Sequence, residues 1–228
     1  MYITYEEDIN PSNVVVVQPN IDPYGKNFTV SANQQLEKLI SLSKQQGQVN
    51  TEFFIWPETA ISDRNGINEE EFREYPQYQK VLQFLEPYHN GNVLSGIESY
   101  VLYADQRTPT AKPIGNMFYD SFNAGVLVDG SSKLQFYHKS KLVPGAELMP
   151  FGKALSLLKP FFAHFGGTTG GYGSQDKPSV FYSASGIGAA PVICYESIWG
   201  NYVAEYVKMG AQFIAVITND GWWGDTSG

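Results

Sequence analysis

The chain has a single cysteine, Cys194, among its 228 residues, and only three histidines. One cysteine excludes an internal disulfide framework and a cysteine-rich zinc site. No stretch approaches the roughly 20 consecutive apolar residues that a membrane span needs, so a spanning segment is not expected within this sequence. Met1 to Asn10 is acidic and has no apolar core, unlike a secretory leader. Positive charge is also scarce: 15 Lys and Arg stand against 23 Asp and Glu, a formal net charge of −8. That balance argues against bulk nucleic-acid binding, which requires a basic footprint. Apolar and aromatic residues, by contrast, are plentiful. Hydrophobic residues make up 43% of the chain, with 14 Phe, 15 Tyr and 4 Trp, too many for a disordered segment. The length suits one large domain with a sizeable core, so the sequence reads as a soluble globular domain.

Charge is unevenly spread. Residues 1–74 carry 12 acidic and 5 basic side chains, whereas residues 75–228 carry 11 and 10. From 133 to 159, Lys133, Lys139, Lys141, Lys153 and Lys159 face only Glu147. This reads either as a solvated basic loop or as a local patch for an anionic group.

Val14 to Val17, Phe53 to Trp56 and Phe213 to Thr218 read as strands buried on both faces. Ser31 with Gln34 resembles a capping box ahead of Leu36, Leu39 and Ile40, and Gly47 closes that helix. Further helices are expected around Gln79–Tyr88 and Tyr202–Met209, the latter stopped by Gly210. Val93 to Tyr103 reads as a strand bent at Gly96. Asn116–Val128 and Leu134–Tyr137 flank Asp129-Gly130-Ser131-Ser132, a hairpin signal. Val180–Tyr182 and Ala189–Cys194 complete the expected strands. Buried strands alternating with helices, plus an antiparallel hairpin, predict a mixed α/β domain.

Three reactive side chains directly follow apolar strands, where layered α/β proteins tend to place their sites. Cys194 follows Ala190–Ile193 and is the natural nucleophile, provided a base and a positive or dipolar environment accompany it. Alone, it reads more readily as a small buried hydrophobe. Glu58 follows Trp56-Pro57; enclosure by aromatic residues would oppose its charged form and suit it to act as a general base. Lys139 follows Leu134–His138 and could hold an oxyanion developing on a reacting carbonyl. His138, His89 and His164 do not indicate a Cys–His dyad.

As a set, Phe54-Ile55-Trp56-Pro57-Glu58-Thr59-Ala60, Phe136-Tyr137-His138-Lys139 and Pro191-Val192-Ile193-Cys194-Tyr195-Glu196 resemble the nitrilase (carbon–nitrogen hydrolase) superfamily, whose Glu–Lys–Cys triad occurs in that order. Within it the chain is similar to the apolipoprotein N-acyltransferase family. The carrying segments there are Trp56 to Ala60, Lys141-Leu142-Val143-Pro144 through Glu147 to Pro150-Phe151, Cys194-Tyr195-Glu196, and Asn219-Asp220-Gly221-Trp222-Trp223-Gly224-Asp225. Gly145-Ala146 stands where that family usually has Phe-Gly.

The resemblance implies an α-β-β-α sandwich with two mixed β-sheets between helix layers. It also implies a linker at 1–12 and a catalytic domain over 13–228, with the family's C-terminal part and flanking transmembrane helices outside this sequence. It implies Glu58, Lys139 and Cys194 as catalytic residues, supported by Glu147, Tyr195 and Glu196, and needs no metal or organic cofactor. The acyl donor would be a phospholipid and the acceptor a diacylglyceryl apolipoprotein, at the periplasmic side of a bacterial inner membrane. Trp222, Phe161 and Phe162 would bind substrate. Residues 151–165, apolar with interspersed lysines, read either as core beneath a long loop or as an interfacial segment. The same triad would equally serve a soluble amidase that uses water as second nucleophile.

Overall fold

The computed structural model describes residues 11–20, 31–131, 133–148, 171–219 and 221. Ser31 opens the first helix as the sequence predicts. Its Oγ accepts from the Gln34 N–H at 3.2 Å, and Gln34 Oε1 accepts from the Ser31 N–H at 2.9 Å. Two end donors are thereby satisfied. Helix α1 (Ala32–Gln46) then turns Gln35, Leu36, Leu39, Ile40 and Ser43 inward. Helix α2 runs over Pro76–Leu85, starting three residues before the sequence expectation. Pro76 in the first turn is the reason: its missing N–H is harmless there and its fixed φ suits a helix start.

Strands β1 (Asn13–Val16), β2 (Thr51–Ile55), β3 (Ile67–Asn68), β4 (Asn92–Tyr103), β5 (Lys112–Ile114), β6 (Met117–Val128) and β7 (Gln135–His138) form one mixed sheet. Its path is β1-β2-β4-β6-β5, with β3 beside β4 and β7 beside β6. The β1, β2 and β4 neighbours are parallel, while β4 and β6 pair antiparallel from Val93↔Val128 to Tyr103↔Phe118. The hairpin predicted at 129–132 joins β6 to β7, and Asp129 Oδ1 accepts the Ser131 N–H at 2.8 Å. Strands β8 (Phe181–Tyr182), β9 (Gly188–Ile193) and β10 (Phe213–Ile217) make a second mixed sheet, ordered β10-β9-β8. Helix α3 (Gly200–Lys208) lies between β9 and β10 in the chain and ends before Gly210, whose φ of +100° suits glycine.

The two faces of the large sheet serve two cores. Phe54, Trp56, Val93, Ile97, Ala124 and Val126 pack against α1 and α2. Phe53, Ile55, Leu94, Leu127 and Tyr137 face the second sheet together with Tyr202 and Tyr206 of α3. Every residue of β2 is buried, as a strand covered on both sides must be. Each fully enclosed Phe or Leu contributes on the order of 2 kcal/mol of apolar burial.

The expectation that Val14–Val17 and Phe213–Thr218 are buried on both faces is corrected. Strands β1 and β10 each stand at the end of their sheet's path. Val16 is 75% exposed and Val216 48% exposed. A β-branched run specifies a strand, but only neighbouring elements decide whether both of its faces are covered. Strand β4 also pairs in regular register through Gly96, so that glycine is not a bend.

Candidate active site

Glu58 is delivered by the turn that follows β2. Pro57 ends the strand, and its carbonyl accepts the Gly96 N–H at 3.1 Å. The turn presses so closely on β4 that a Cβ at Gly96 would sit 2.5 Å from the Thr59 nitrogen and 2.6 Å from Glu58 Cα. No side chain fits there. Thr59 has φ +48°, an uncommon conformation for a β-branched residue. Buried Gln35 on α1 secures the turn, its Nε2 donating to the carbonyls of Thr59 at 3.2 Å and Ala60 at 2.9 Å.

Lys139 emerges directly after β7, its backbone N–H donating to Asn123 O at 2.9 Å. The side chain is fully buried, and Nζ donates to Glu58 Oε1 at 3.2 Å and Glu147 Oε1 at 2.9 Å. Asn123 on β6 donates from Nδ2 to the same two oxygens, at 2.7 Å each. The second oxygen of Glu147 accepts the Val143 N–H at 2.8 Å. Burial pushes the Lys139 pKa down, but Glu58 and then Glu147 and Cys194 outweigh it, and the net direction is upward. Lys139 is therefore an ammonium throughout the neutral range.

Two sequence expectations change here. Lys139 is no part of a surface basic patch; it lies enclosed between carboxylates. Glu58 is not wrapped by its aromatic neighbour either, because Trp56 points into the first core, where its Nε1–H donates to Ser43 Oγ at 2.9 Å. Glu58 sits instead among polar partners.

Cys194 follows β9 and opens one turn of 3-10 helix, Cys194–Ile198, with φ +46° at the cysteine itself. Such a conformation costs about 1 kcal/mol or more in a residue with a Cβ. Ser197 Oγ donates to the Cys194 carbonyl at 2.8 Å and holds the turn. Parallel pairing of Ile193 with Ile217 brings Thr218 beside the cysteine, where its side chain favours the thiolate. Burial and the Glu58 charge push the thiol pKa up, against the lowering effects of Thr218 and Lys139. At rest the group is a protonated thiol, so nucleophilic use of it would require a base.

Glu196 joins the two sheets beneath the site. It is fully buried, and Oε1 accepts from Tyr137 Oη at 2.5 Å, Ser140 N–H at 2.7 Å and Lys141 N–H at 3.1 Å. Its Oε2 accepts the Ile193 N–H at 2.9 Å. The residues flanking Lys139 and those flanking Cys194 thus hang on one carboxylate. Burial raises the Glu196 pKa, opposed by these four hydrogen bonds. Tyr195 is partly exposed and meets Trp199 edge-on, ring centroids 6.2 Å apart.

Of the residues expected from sequence, Glu58, Lys139 and Glu147 form one hydrogen-bonded cluster, with Cys194 electrostatically coupled to it and Tyr195 and Glu196 in the turn of the nucleophile. Trp222, Phe161, Phe162, residues 151–165 and the linker at 1–10 lie outside the described residues. His138 takes no part: it stacks on Phe122 at 3.6 Å, and its Nε2 lies 2.7 Å from Glu69 Oε1. Sequence reasoning missed Asn123 and Thr218. The signal for Asn123 was a lone amide inside the apolar run Phe122 to Val128, where a buried polar side chain needs partners. Among the described residues no group of three or more His, Cys, Asp or Glu is arranged to hold a metal ion.

A model of the carbon-nitrogen hydrolase family matches residues 13–228. The apolipoprotein N-acyltransferase of Chlorobaculum tepidum is 31% identical over 222 residues, covering 94% of this chain and 40% of that protein. The enzyme of the same name from Vibrio parahaemolyticus is 26% identical over 221 residues, 95% of this chain and 39% of that one. The chain thus spans about two fifths of the length of these curated relatives. An amidase from Nesterenkonia sp. AN1 superposes with a TM-score of 0.52 at 13% identity, over 91% of this chain and 67% of that chain. At that identity the likeness concerns the fold.

Proposed function

Because the chain belongs to the carbon–nitrogen hydrolase family, we propose that its site transfers a fatty acyl chain from a phospholipid to the N-terminal amine of a diacylglyceryl-cysteine apolipoprotein. The chemistry rests on one observation: an ammonium buried between two carboxylates and coupled to a strained cysteine at the end of the central strand of the second sheet. The lipid substrates rest on the relatives that carry the acyltransferase name along nearly all of this chain.

Glu58 takes the proton from Cys194 Sγ, and the thiolate adds to the ester carbonyl of the phospholipid. Lys139, with the backbone N–H of Tyr195, holds the oxyanion of the tetrahedral intermediate. The intermediate collapses, the C–O bond breaks, and Glu58 returns the proton to the departing lysophospholipid. A thioester on Cys194 remains. The acceptor amine then adds to the thioester carbonyl and loses its proton to Glu58; the C–S bond breaks and the thiol is restored. Glu147 keeps Lys139 oriented, since their Oε1–Nζ contact is the shorter of the two ion pairs. Lys139 carries the charge that a developing oxyanion needs, and burial removes competing water. Membrane placement, with this domain on the periplasmic side of an inner membrane, belongs to the same proposal. Among the described residues no helix is long and apolar enough to cross a membrane.

Intact-mass measurement of the full-length protein after incubation with phosphatidylethanolamine tests the reading. An acyl adduct on Cys194 is expected, discharged when a diacylglyceryl peptide with a free amine is added. No adduct with any phospholipid, together with release of ammonia from a simple amide, would overturn the acyltransferase in favour of an amidase.

A further inference from the structure

Two carboxylates and one ammonium in a closed site leave an excess negative charge. Glu58 Oε1 and Glu147 Oε1 both lie within hydrogen-bond distance of Lys139 Nζ. Like charges this close, served by one cation, ordinarily drive one carboxylate to take up a proton. A protonated Glu58 could not accept the thiol proton of Cys194. Some further group must therefore favour the ionised pair without adding charge.

Asn123 has that position. Its backbone carbonyl accepts the Lys139 N–H at 2.9 Å, and its Nδ2 donates one hydrogen to each carboxylate, both at 2.7 Å. Lys139 Nζ and Asn123 Nδ2 are the two donors, Glu58 Oε1 and Glu147 Oε1 the two acceptors, and together they close a four-membered ring of hydrogen bonds. The amide can stand only one way round. Reversed, its oxygen would face two carboxylate oxygens. In the observed sense Asn123 Oδ1 is buried and has no hydrogen-bond partner among the described residues. An orphaned buried carbonyl oxygen costs about 1–3 kcal/mol, so the arrangement is poor as a purely structural feature. The donors, not the oxygen, account for it.

We infer that Asn123 is a positioning residue that keeps Glu58 and Glu147 simultaneously ionised, and so sets the lower pH limit at which Glu58 serves as base. Resting on the Glu58–Lys139–Cys194 reading, it is independent of which acyl donor is used. Among the described residues, the other groups facing the ring are Cys194 and Tyr172, and behind Tyr172 lies Glu98, whose Oε1 is 3.4 Å from the phenol oxygen. Burial and the charges of Glu98, Glu147 and Glu58 all raise the Tyr172 pKa, so it stays neutral. Lys139 holds its proton in the same range. Neither titrates near the acid limb, so among the described residues the carboxylate pair, Glu98 and Glu196, whose buried carboxyl holds the Cys194 turn, are the groups able to shape it.

The experiment is the pH dependence of Cys194 alkylation by iodoacetamide in the intact protein, a readout that needs no natural substrate. Loss of two hydrogen bonds to ionised carboxylates disfavours the charged forms, so the pair's protonation moves to higher pH. In Asn123→Ala the acid limb is expected to rise by about one pH unit, roughly a tenfold slower reaction below it and recovery above it. Asn123→Ser, which can still donate once and guards against a misfolded alanine variant, is expected to shift the limb about half as far. Glu58→Gln identifies the limb by abolishing it, and Glu98→Gln is expected to leave its midpoint in place. Slower alkylation at every pH with an unmoved limb, in both Asn123 variants, would assign Asn123 a merely structural role and overturn the inference. So would a limb that follows Glu98. Failure of the acyl-transfer reading changes none of these outcomes, because that is decided by the phospholipid adduct.

Discussion

Lys139 and its carboxylates stand on the large sheet with each Oε1 held twice over, whereas Cys194 stands on the small sheet, partly exposed and in a strained conformation. The first region is a charge device fixed before any substrate arrives. The second is a thiol held at a raised pKa, which the proposed reaction would have that device deprotonate. Strong electrostatics demands burial and complete pairing, because an unpaired charge in a low dielectric is costly. Nucleophilic attack demands the reverse, an accessible atom with few partners. Placing the two on different sheets satisfies both, and Glu196 ties them into register.

The sharpest way to break this contrast is Lys139→Met. Buried Glu58 and half-buried Glu147 would lose their cation, and a loss of about 3–5 kcal/mol is expected in urea unfolding, together with loss of acyl-enzyme formation. Cys194→Ala, also inactive by the mass assay, should change stability by less than about 1 kcal/mol, since it removes only a partly exposed thiol and leaves the backbone strain as it was. Equal losses in the two variants would erase the distinction between the regions. Next comes Gly96→Ala, which forces a methyl group into the backbone of the Glu58 turn; about 2–3 kcal/mol is expected, with displaced Glu58 slowing Cys194 alkylation. Glu196→Gln puts an amide where four donors converge and should cost about 2 kcal/mol. Because it loosens the link between sheets, kcat should fall more than KM rises.

The smallest effect is one of pH. The folded thiol pKa is raised above its unfolded value of about 8.5. Its contribution to stability is therefore fully present below that value and lost as pH climbs toward the folded pKa. Unfolding curves between pH 8 and 10 should show the wild type losing this increment, while Cys194→Ala lacks the loss. A parallel decline in both would mean that the thiol is not held in its neutral form.

Much of the site was legible beforehand because Glu58, Lys139 and Cys194 each follow an apolar run that specifies a strand, and a strand's end is a position that sequence can mark. The Ser31–Gln34 cap and the 129–132 hairpin were legible for a similar reason, being local hydrogen-bond patterns. What Lys139 touches was not. A lysine in a stretch with four other lysines reads as surface, and only the folding of β6 and the Glu58 turn over it makes it the most enclosed cation described. The edge positions of β1 and β10 were hidden too, since Val-Val-Val-Val has the same pattern whether one face or two is covered.

The lone cysteine and the acidic balance that mark the sequence take their meaning from this division. By itself the sequence determined most of the segments that form strands and helices, and that Glu58, Lys139 and Cys194 each stand just past an apolar strand, because these depend on local propensity and on residue order. The tertiary structure alone decided that Asn123, sixty-five residues from Glu58 along the chain, shares its amide between two carboxylates. It also decided that Glu196 fastens one sheet to the other. Hydrogen bonds and Coulomb interactions act over a few ångströms of space, and no pattern along the chain records which distant residues the packing of two sheets will bring within that range.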